Sequence, residues 1–551
     1  MSKQSSASVS KAEPLALHEI ISHVLAPDLD SSTPWPWWKG LGTMPALSQK
    51  LANQPLLNFL NAALRGIAQV IFVNNPLSGL LILIAMLIQA PWLGLMSLTG
   101  SASATLMAMI LKANPFMIRD GIYGLNGLLI GAAMAFFGQF GNGSWNLIWA
   151  ITVVILAALT SVVMETVGMW FTTKFRVSPL GIPFNGVLLP FLLLVTFISQ
   201  PFFDLGPAPP PFDIGDYDSQ RLMQCFHVGL AGVFFSDNPI SIALIMIGVA
   251  ICTPIGALVA MLGGIMYILA GLLLEAKPDE LYLMIWGYNA VLTAVAIGGV
   301  FYTPTRLSIT LAAFCAFLAS GLSFLLAPIF SLVRLPVLSV PFAIVTIGCL
   351  LIVQRSLPSL VPVALHTITT PEEHRQRFLV AKEIISNARL RLQAAIQGEK
   401  HNFLFEKANS QIKGDLRYVF NAIDLDHSER ISIQELRGYL EQVGKPIKDN
   451  ELNLLFKSMD SDHNNFIDFE EFGELILRYR QLMSKYDQFV TYFIPIDANQ
   501  DDLISASEMN VAMASVGEPP LTSAEILFIR NLLGRQQSLT WNQFLELLLV
   551  I

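Results

Sequence analysis

The chain has 551 residues, of which 53% are hydrophobic and only 13% charged, about half the charged fraction of an ordinary soluble protein. Its formal net charge of −8 is carried largely by the C-terminal part: the stretch from Arg65 to Arg355 holds twenty charged residues in 291, whereas the sequence after Lys400 has the composition of a soluble protein with acidic residues in excess. No basic run suits a phosphate backbone, no nucleophile–base constellation or cofactor loop emerges, and no Walker motif is present, which argues against nucleic-acid binding, catalysis and ATP-driven pumping.

The chain opens on polar residues followed by a short apolar pattern at Leu15, Leu17, Ile20, Ile21, Val24 and Leu25. It is too short and too interrupted for a signal peptide and reads as an amphipathic surface helix in a cytosolic segment, residues 1–50. A membrane-spanning helix needs about 20 mostly apolar residues. Candidates follow at Leu77 to Leu98, Leu147 to Val167, Val187 to Ser199, Ile240 to Leu262, Val291 to Tyr302, Leu307 to Leu326 and Phe342 to Val353. Several run together or fall short, so the expectation is roughly eight to twelve membrane segments, some partial. Cys225, Cys252, Cys315 and Cys349 lie in apolar stretches without CxxC spacing and read as buried thiols. After the last apolar segment come Arg355, Arg375, Arg377, Lys382, Arg389 and Arg391, which place the C-terminal side in the cytosol by the positive-inside tendency.

The apolar body repeats itself. Asn75-Pro76 recurs as Asn238-Pro239, Pro91 as Pro254, Gly100 as Gly263, and Gly124-Leu125-Asn126 as Gly287-Tyr288-Asn289, each at an offset of 163; Ile182-Pro183-Phe184 recurs as Val340-Pro341-Phe342 at 158. An ordered series of Pro, Gly and Asn points to two copies, residues 51–213 and 214–360, a recurring transporter design. Asn75 and Asn238 read as N-caps with Pro at the first helical position. They start either pore-lining half-helices inside the membrane or ordinary helices at its surface. Asp237 is a second candidate cap. Glu165 lies in an apolar run and is a functional candidate or a paired structural residue. No ionisable network suits ion or proton coupling, so passive conduction of a neutral solute fits better than pumping.

The stretches Gln69-Val-Ile-Phe-Val-Asn-Asn-Pro-Leu-Ser-Gly79, Gly121-Ile-Tyr-Gly-Leu-Asn-Gly-Leu-Leu-Ile-Gly131 and Ile182-Pro-Phe-Asn185 resemble the urea transporter family, as do Ser236-Asp-Asn-Pro239, Trp286-Gly-Tyr-Asn289 and Leu335-Pro-Val-Leu-Ser-Val-Pro-Phe342. The resemblance covers roughly residues 50 to 355. It implies an all-α polytopic body of two inverted five-helix halves, each with a re-entrant pore helix, in a homotrimer with one pore per subunit. It also implies urea passing in single file between aromatic rings along a ladder of oxygen acceptors. On this resemblance Gln69 is an outer acceptor and Phe72 one wall of a slot. Phe235 and Tyr288 wall the other, Ser339 supplies a central hydroxyl, and Leu129 and Leu292 line the pore. Departures from the family pattern are Leu125 in place of a second ring, Gly232 opposite Gln69 in place of an amide, and Gly181 in place of a central hydroxyl. These changes leave the fold inference intact and open the substrate to other small neutral solutes, such as amides, ammonia or water. A non-conducting, membrane-anchored calcium sensor is the reading from a different class.

Thr370-Pro371-Glu372-Glu373 reads as a capping box opening a helix that ends near Gly398. It falls in a connecting segment, residues 361–405, with a docking, spacing or transmitting role. The remainder, residues 406–551, reads as EF-hands. An EF-hand loop places oxygen ligands at positions 1, 3, 5, 9 and 12, with a backbone carbonyl at 7. Three stretches fit: Asp424, Asp426, Ser428, Arg430, Ser432 and Glu435; Asp460, Asp462, Asn464, Phe466, Asp468 and Glu471; Asp497, Asn499, Asp501, Leu503, Ser505 and Glu508. Ile431, Ile467 and Ile504 occupy position 8, where the loops of a pair form a short strand ladder. A fourth stretch from Leu532 to Gln543, with Leu539 at position 8, lacks acidic ligands and reads as a silent partner of the third. The first loop has three carboxylates and Glu429 at its turn, and is expected to bind calcium most weakly; the second has four and is expected to bind most tightly. The sequence thus predicts a multi-pass protein of the plasma membrane or a bacterial inner membrane, with up to three calcium sites on a cytosolic tail.

Overall fold

The computed structural model describes residues 42–551 apart from 52, 198–202, 206–227, 283–285, 357–358, 361, 398–402, 443–448, 450–451, 454–455, 457–458, 461, 463, 497–500, 502, 534–537, 541–543, 546 and 549–551. The expected N-terminal surface helix, Cys225, Gly398, Asp497, Asn499 and Gln543 lie outside these residues. Among the described residues the fold is all-α apart from two short strand pairs, and the chain divides into two compact units, Trp35–Arg375 and Gln376–Ile551.

In the first unit, four helices lying wholly within the described residues are long and apolar enough to cross a membrane: Pro91–Ile110, Leu147–Phe175, Pro254–Leu273 and Arg306–Leu332; the helical stretch Gly287–Val295 continues through Ala296–Val300. Five shorter apolar helices accompany them: Pro76–Gln89, Gly124–Gly138, Ile182–Phe197, Pro239–Cys252 and Val340–Val353. Two expected segments are broken. Leu77 to Leu98 divides at Ala90 and Ile240 to Leu262 at Thr253, both residues being extended. The cause is Pro91 and Pro254, which lack an N–H for the incoming helix and force an extended backbone on the residue before them.

The helix bounds recur with the sequence offset. Pro76–Gln89 and Pro239–Cys252 are both 14 residues long, Pro91–Ile110 and Pro254–Leu273 both 20, and Pro115–Arg119 and Pro278–Tyr282 both five. The rare left-handed backbone of non-glycine residues recurs too. Phe72 (φ 61°) matches Phe235 (54°) and Lys112 (53°) matches Glu275 (53°), while Arg176 (58°) matches Arg334 (55°) and Leu180 (49°) matches Leu338 (49°). Such residues cost about 1–3 kcal/mol each and persist only where the surrounding structure demands them.

The two 14-residue helices lie antiparallel against one another. The Ser241 hydroxyl donates to the Ala85 carbonyl at 2.7 Å, and one end of the contact brings Gly248 beside the Ser78 carbonyl. Elsewhere backbones touch directly: a Cβ on Gly100 would sit 2.1 Å from the Gly127 carbonyl oxygen, so glycine is what lets the Pro91 and Gly124 helices approach.

The second unit has two strand ladders. Arg430–Ile431 pairs antiparallel with Ile467–Asp468, matching Ile431 to Ile467, and Leu503–Ser505 pairs with Ser538–Thr540, matching Ile504 to Leu539. These are the position-8 residues of the four loop stretches. Helices flank the loops, with Phe420, Phe472 and Phe489 among their fully buried rings.

Candidate functional site

The starts of the two short helices are capped by the expected asparagines. The fully buried Asn75 accepts from the N–H groups of Leu77 (2.8 Å) and Ser78 (3.1 Å) and donates to the Gly42 carbonyl. Asn238 accepts from the N–H of Ile240 at 2.9 Å. Asp237 is not the cap: its carboxylate accepts from Gln89 Nε2 at 2.8 Å. Two of each helix's four orphan N–H groups at most are met by these caps.

Immediately before the caps, the left-handed turns at Phe72 and Phe235 project their rings into aromatic surroundings. Phe72 packs edge-on against Phe301 (5.8 Å between centroids) and Phe342 (6.3 Å), both from the second half of the body. Phe235, from the second half, packs against Phe136 of the first at 5.1 Å. Leu125, where a ring was missing from the sequence pattern, is half-buried in the same core, as is Leu129, while Leu292 is buried. Gln69 donates its amide to the Asp120 carbonyl at 3.0 Å, so its side-chain oxygen is the acceptor end of the group. Gly232 is half-buried and has no side chain to offer.

Tyr288 and Asn289 both donate to the Leu338 carbonyl, at 2.9 and 3.1 Å, holding the left-handed turn that leads into Ser339. Ser339 and Gly181 face one another at the starts of the Val340 and Ile182 helices: a Cβ on Gly181 would lie 2.8 Å from Ser339 Oγ. Asn185 bridges them, donating to Ser339 Oγ and to the Gly181 carbonyl, both at 2.8 Å. Glu165 sits in a π-helical turn, Met164–Gly168, and accepts from the Tyr123 hydroxyl; it is a paired acid.

Sequence reasoning did not single out Phe136, Phe301, Phe342 or Asn185 as site residues. Phe342 and Asn185 stood inside the motifs that were recognised, so their signal was present. Phe136 and Phe301 reach their partners only through long-range packing and leave no local pattern.

In the second unit the ligand atoms of Asp424, Asp426 and Glu435 converge within 4.8 Å of one another, as do those of Asp460, Asp462 and Glu471. Each loop is wound around its first aspartate. Asp424 accepts from the N–H groups of Ser428 and Glu429, and Asp460 from those of Asn464 and Asn465, all at 2.9–3.0 Å. Glu429 (φ 61°) and Asn465 (φ 63°) take the left-handed turn at position 6. The Ser428 hydroxyl and N–H hold the Asp426 carboxyl below its ordinary range. Clustered carboxylates with a shared focus suit a hard, oxygen-seeking dication. Of the third loop, Asp501, Leu503, Ser505 and Glu508 are described; Ser505 and Glu508 form a reciprocal capping box.

The Pro371–Gln397 helix begins in the first unit. There Glu372 accepts from the Ile255 N–H at 2.6 Å and the Thr253 hydroxyl at 3.1 Å, and His374 contacts the Gly299 carbonyl at 2.8 Å. Thr370 accepts from the Glu373 N–H at 3.4 Å, while the Glu373 carboxylate turns to the Thr369 hydroxyl. Within the second unit, Ser386 donates to Glu518 and Gln393 to Glu525, and Arg389 lies 3.3 Å from Glu525.

Residues 60–354 match the family model described as urea transporter, and residues 413–477 match an EF-hand domain pair. The chain is 30% identical to Urea transporter 1 of Ovis aries over 344 residues, covering 61% of this chain and 88% of that protein. It is 30% identical to Urea transporter 1 of Mus musculus over 347 residues, covering 62% and 89%. Over 105 residues it is 28% identical to Calmodulin-like protein 2 of Arabidopsis thaliana, covering 19% of this chain and 69% of that one.

Proposed function

The chain belongs to the urea transporter family, and from that membership we propose that its membrane body conducts urea passively and that calcium on its EF-hand tail modulates the flux. It is a multi-pass membrane transport protein carrying an EF-hand domain, and not an enzyme. The observation that carries the channel reading is the matched pair Phe72 and Phe235. Both rings sit on left-handed turns before capped antiparallel helices, and each meets rings from the other half.

Urea is flat and uncharged, so aromatic faces suit it. Its four N–H groups need acceptors in a dry passage, since a buried unpaired donor costs about 1–3 kcal/mol. Gln69 Oε1 is the outer acceptor we assign and Ser339 the central hydroxyl, with Phe72, Phe235, Leu125, Leu129, Tyr288 and Leu292 as walls and Gly181 and Gly232 as gaps. The body is read as two inverted halves, residues 51–213 and 214–360, supported by the paired helix bounds and φ angles. A homotrimer and a cytosolic tail are the assembly and orientation we assign.

Calcium sites are assigned to the three loops named above, where bound calcium draws the acidic side chains to one focus. Modulation rests on the Pro371 helix. Its first turn is bonded to the break at Thr253 and its later turns to Glu518 and Glu525.

The test is stopped-flow urea permeability of the full chain in liposomes, in calcium and in chelator, beside Glu471→Gln. Urea flux above empty vesicles is expected, changing with calcium in the wild type and less in Glu471→Gln. Flux equal to empty vesicles under both conditions overturns the channel reading; flux indifferent to calcium in both proteins removes modulation. Flux of ammonia or small amides without urea moves the substrate to another neutral solute.

A further inference from the structure

Asn185 lies one turn inside the Ile182 helix and is 8% exposed. Both of its amide hydrogens are engaged: Nδ2 donates to the Gly181 carbonyl and to Ser339 Oγ, each at 2.8 Å. The orientation of the amide is therefore settled by chemistry. A carbonyl oxygen accepts only, so the NH₂ end must face Gly181 and the oxygen must face away. That oxygen, Asn185 Oδ1, is buried and has no hydrogen-bond partner. Buried side-chain acceptors are nearly always partnered, and the exceptions ask for an explanation.

Symmetry of the body does not supply one. At the 158-residue offset the second half has Ala343, so an amide at this depth is not a requirement of the helix start. Gly181 explains the room. With no side chain, it leaves the Ser339 hydroxyl to the Asn185 amide, and a Cβ there would collide with Ser339 Oγ. Ser339 Oγ accepts a hydrogen bond from the Asn185 amide and keeps its own hydrogen to donate. The pair thus presents one free acceptor, Asn185 Oδ1, and one free donor, the Ser339 hydroxyl, where the two helix starts meet.

We propose that Asn185 is a selectivity residue of the channel, its Oδ1 accepting an N–H of the passing solute while Ser339 donates to the solute's carbonyl oxygen. The matching ligand class is a small neutral molecule with a carbonyl and an N–H on the same carbon, as in urea and simple amides. This inference rests on the channel reading given above.

The experiment uses the full chain in liposomes, with thermal melting of the detergent-purified protein as the structural control. Asn185→Leu keeps the branching and heavy-atom count of the side chain and removes its acceptor together with its donors; Asn185→Thr keeps an acceptor. Urea permeability is expected to fall about tenfold in Asn185→Leu, the effect of one lost hydrogen bond, and to stay within about threefold of wild type in Asn185→Thr. Ser339→Ala is expected to lower the ratio of urea to thiourea permeability, because sulfur is the weaker acceptor for the lost hydroxyl. Permeability in Asn185→Leu within about twofold of wild type overturns the proposal, as does an equal loss in Asn185→Thr. If Asn185→Leu does not fold, an unchanged urea to thiourea ratio in Ser339→Ala overturns it. Wild-type protein with no urea flux overturns the channel reading itself, whereas wild-type flux with unaltered variants overturns only the role of Asn185.

Discussion

The side-chain oxygen of Gln89 accepts the backbone N–H of Asn238 at 2.9 Å and that of Asp237 at 3.1 Å. The end of the Pro76–Gln89 helix is thereby tied to the start of its antiparallel partner, and two N–H groups outside the reach of the Asn238 cap are satisfied. Gln89→Leu leaves both unpaired by the side chain. The expected cost is about 0.5–1.5 kcal/mol, read as a lower melting temperature of the purified protein.

Asn75 carries a heavier role than an exposed cap. It is fully buried, and its hydrogen bonds include two accepted from the helix and one donated to the Gly42 carbonyl. Asn75→Ala is expected to destabilise by about 2 kcal/mol, the upper end of measured cap losses, and to lower urea flux per molecule by disturbing the Phe72 turn. Asn238→Ala removes one observed cap bond and is expected to cost about half as much. Equal melting temperatures for the two variants would contradict this ordering.

Gly100→Ala places a methyl group 2.1 Å from the Gly127 carbonyl oxygen. The clash is with backbone, which has no rotamer to yield, so the two helices must part. Overpacking of this kind costs about 1–3 kcal/mol or more. Reduced yield of folded protein on size exclusion is the measurement, while Gly186→Ala, which meets nothing within 4 Å, serves as the neutral comparison.

Calcium titration by calorimetry separates the first two loops. The loop from Asp460 to Glu471 has four carboxylates and Asn465 in the left-handed position; the loop from Asp424 to Glu435 has three and Glu429 there. Glu471→Gln is expected to abolish the tightest binding event, and Glu435→Gln a weaker one. The reverse order refutes the assignment. A gain of affinity with Glu429→Gly is expected, of about tenfold at most, since glycine relieves the left-handed turn.

Glu525 predicts a pH dependence. Burial opposes its ionisation, but the Thr522 N–H, the Gln393 amide, the Thr522 hydroxyl and Arg389 together hold its carboxyl below the ordinary 4.5. A depressed folded pKa contributes stability that is full above the unfolded value and is lost as pH falls through the folded one. The unit from Gln376 onward is expected to melt lower as pH drops below about 4.5, with a shallower decline in Glu525→Gln. Identical pH profiles would remove Glu525 from the account.

Much of this was readable along the chain because the determinants are local. Pro after Asn marks a capped start wherever it stands, so Asn75 and Asn238 are legible in the sequence. Carboxylates at fixed spacing define an EF-hand loop by themselves, and Ile504 and Leu539 were matched across the third and fourth hands by position alone. The breaks at Ala90 and Thr253 leave no mark in hydropathy, which runs unchanged through Pro91 and Pro254.

What the sequence determined by itself is the recurring order of caps, prolines and glycines and the EF-hand loops, since each depends on neighbours a few residues away. What only the tertiary structure decided is which rings and polar groups meet. Phe72 finds Phe301 and Phe342, Phe235 finds Phe136, and Asn185 finds Ser339 across 154 residues. Those meetings follow from helix packing and from the depth at which two helix starts converge, and a buried acceptor such as Asn185 Oδ1 becomes visible only when every group around it has been placed.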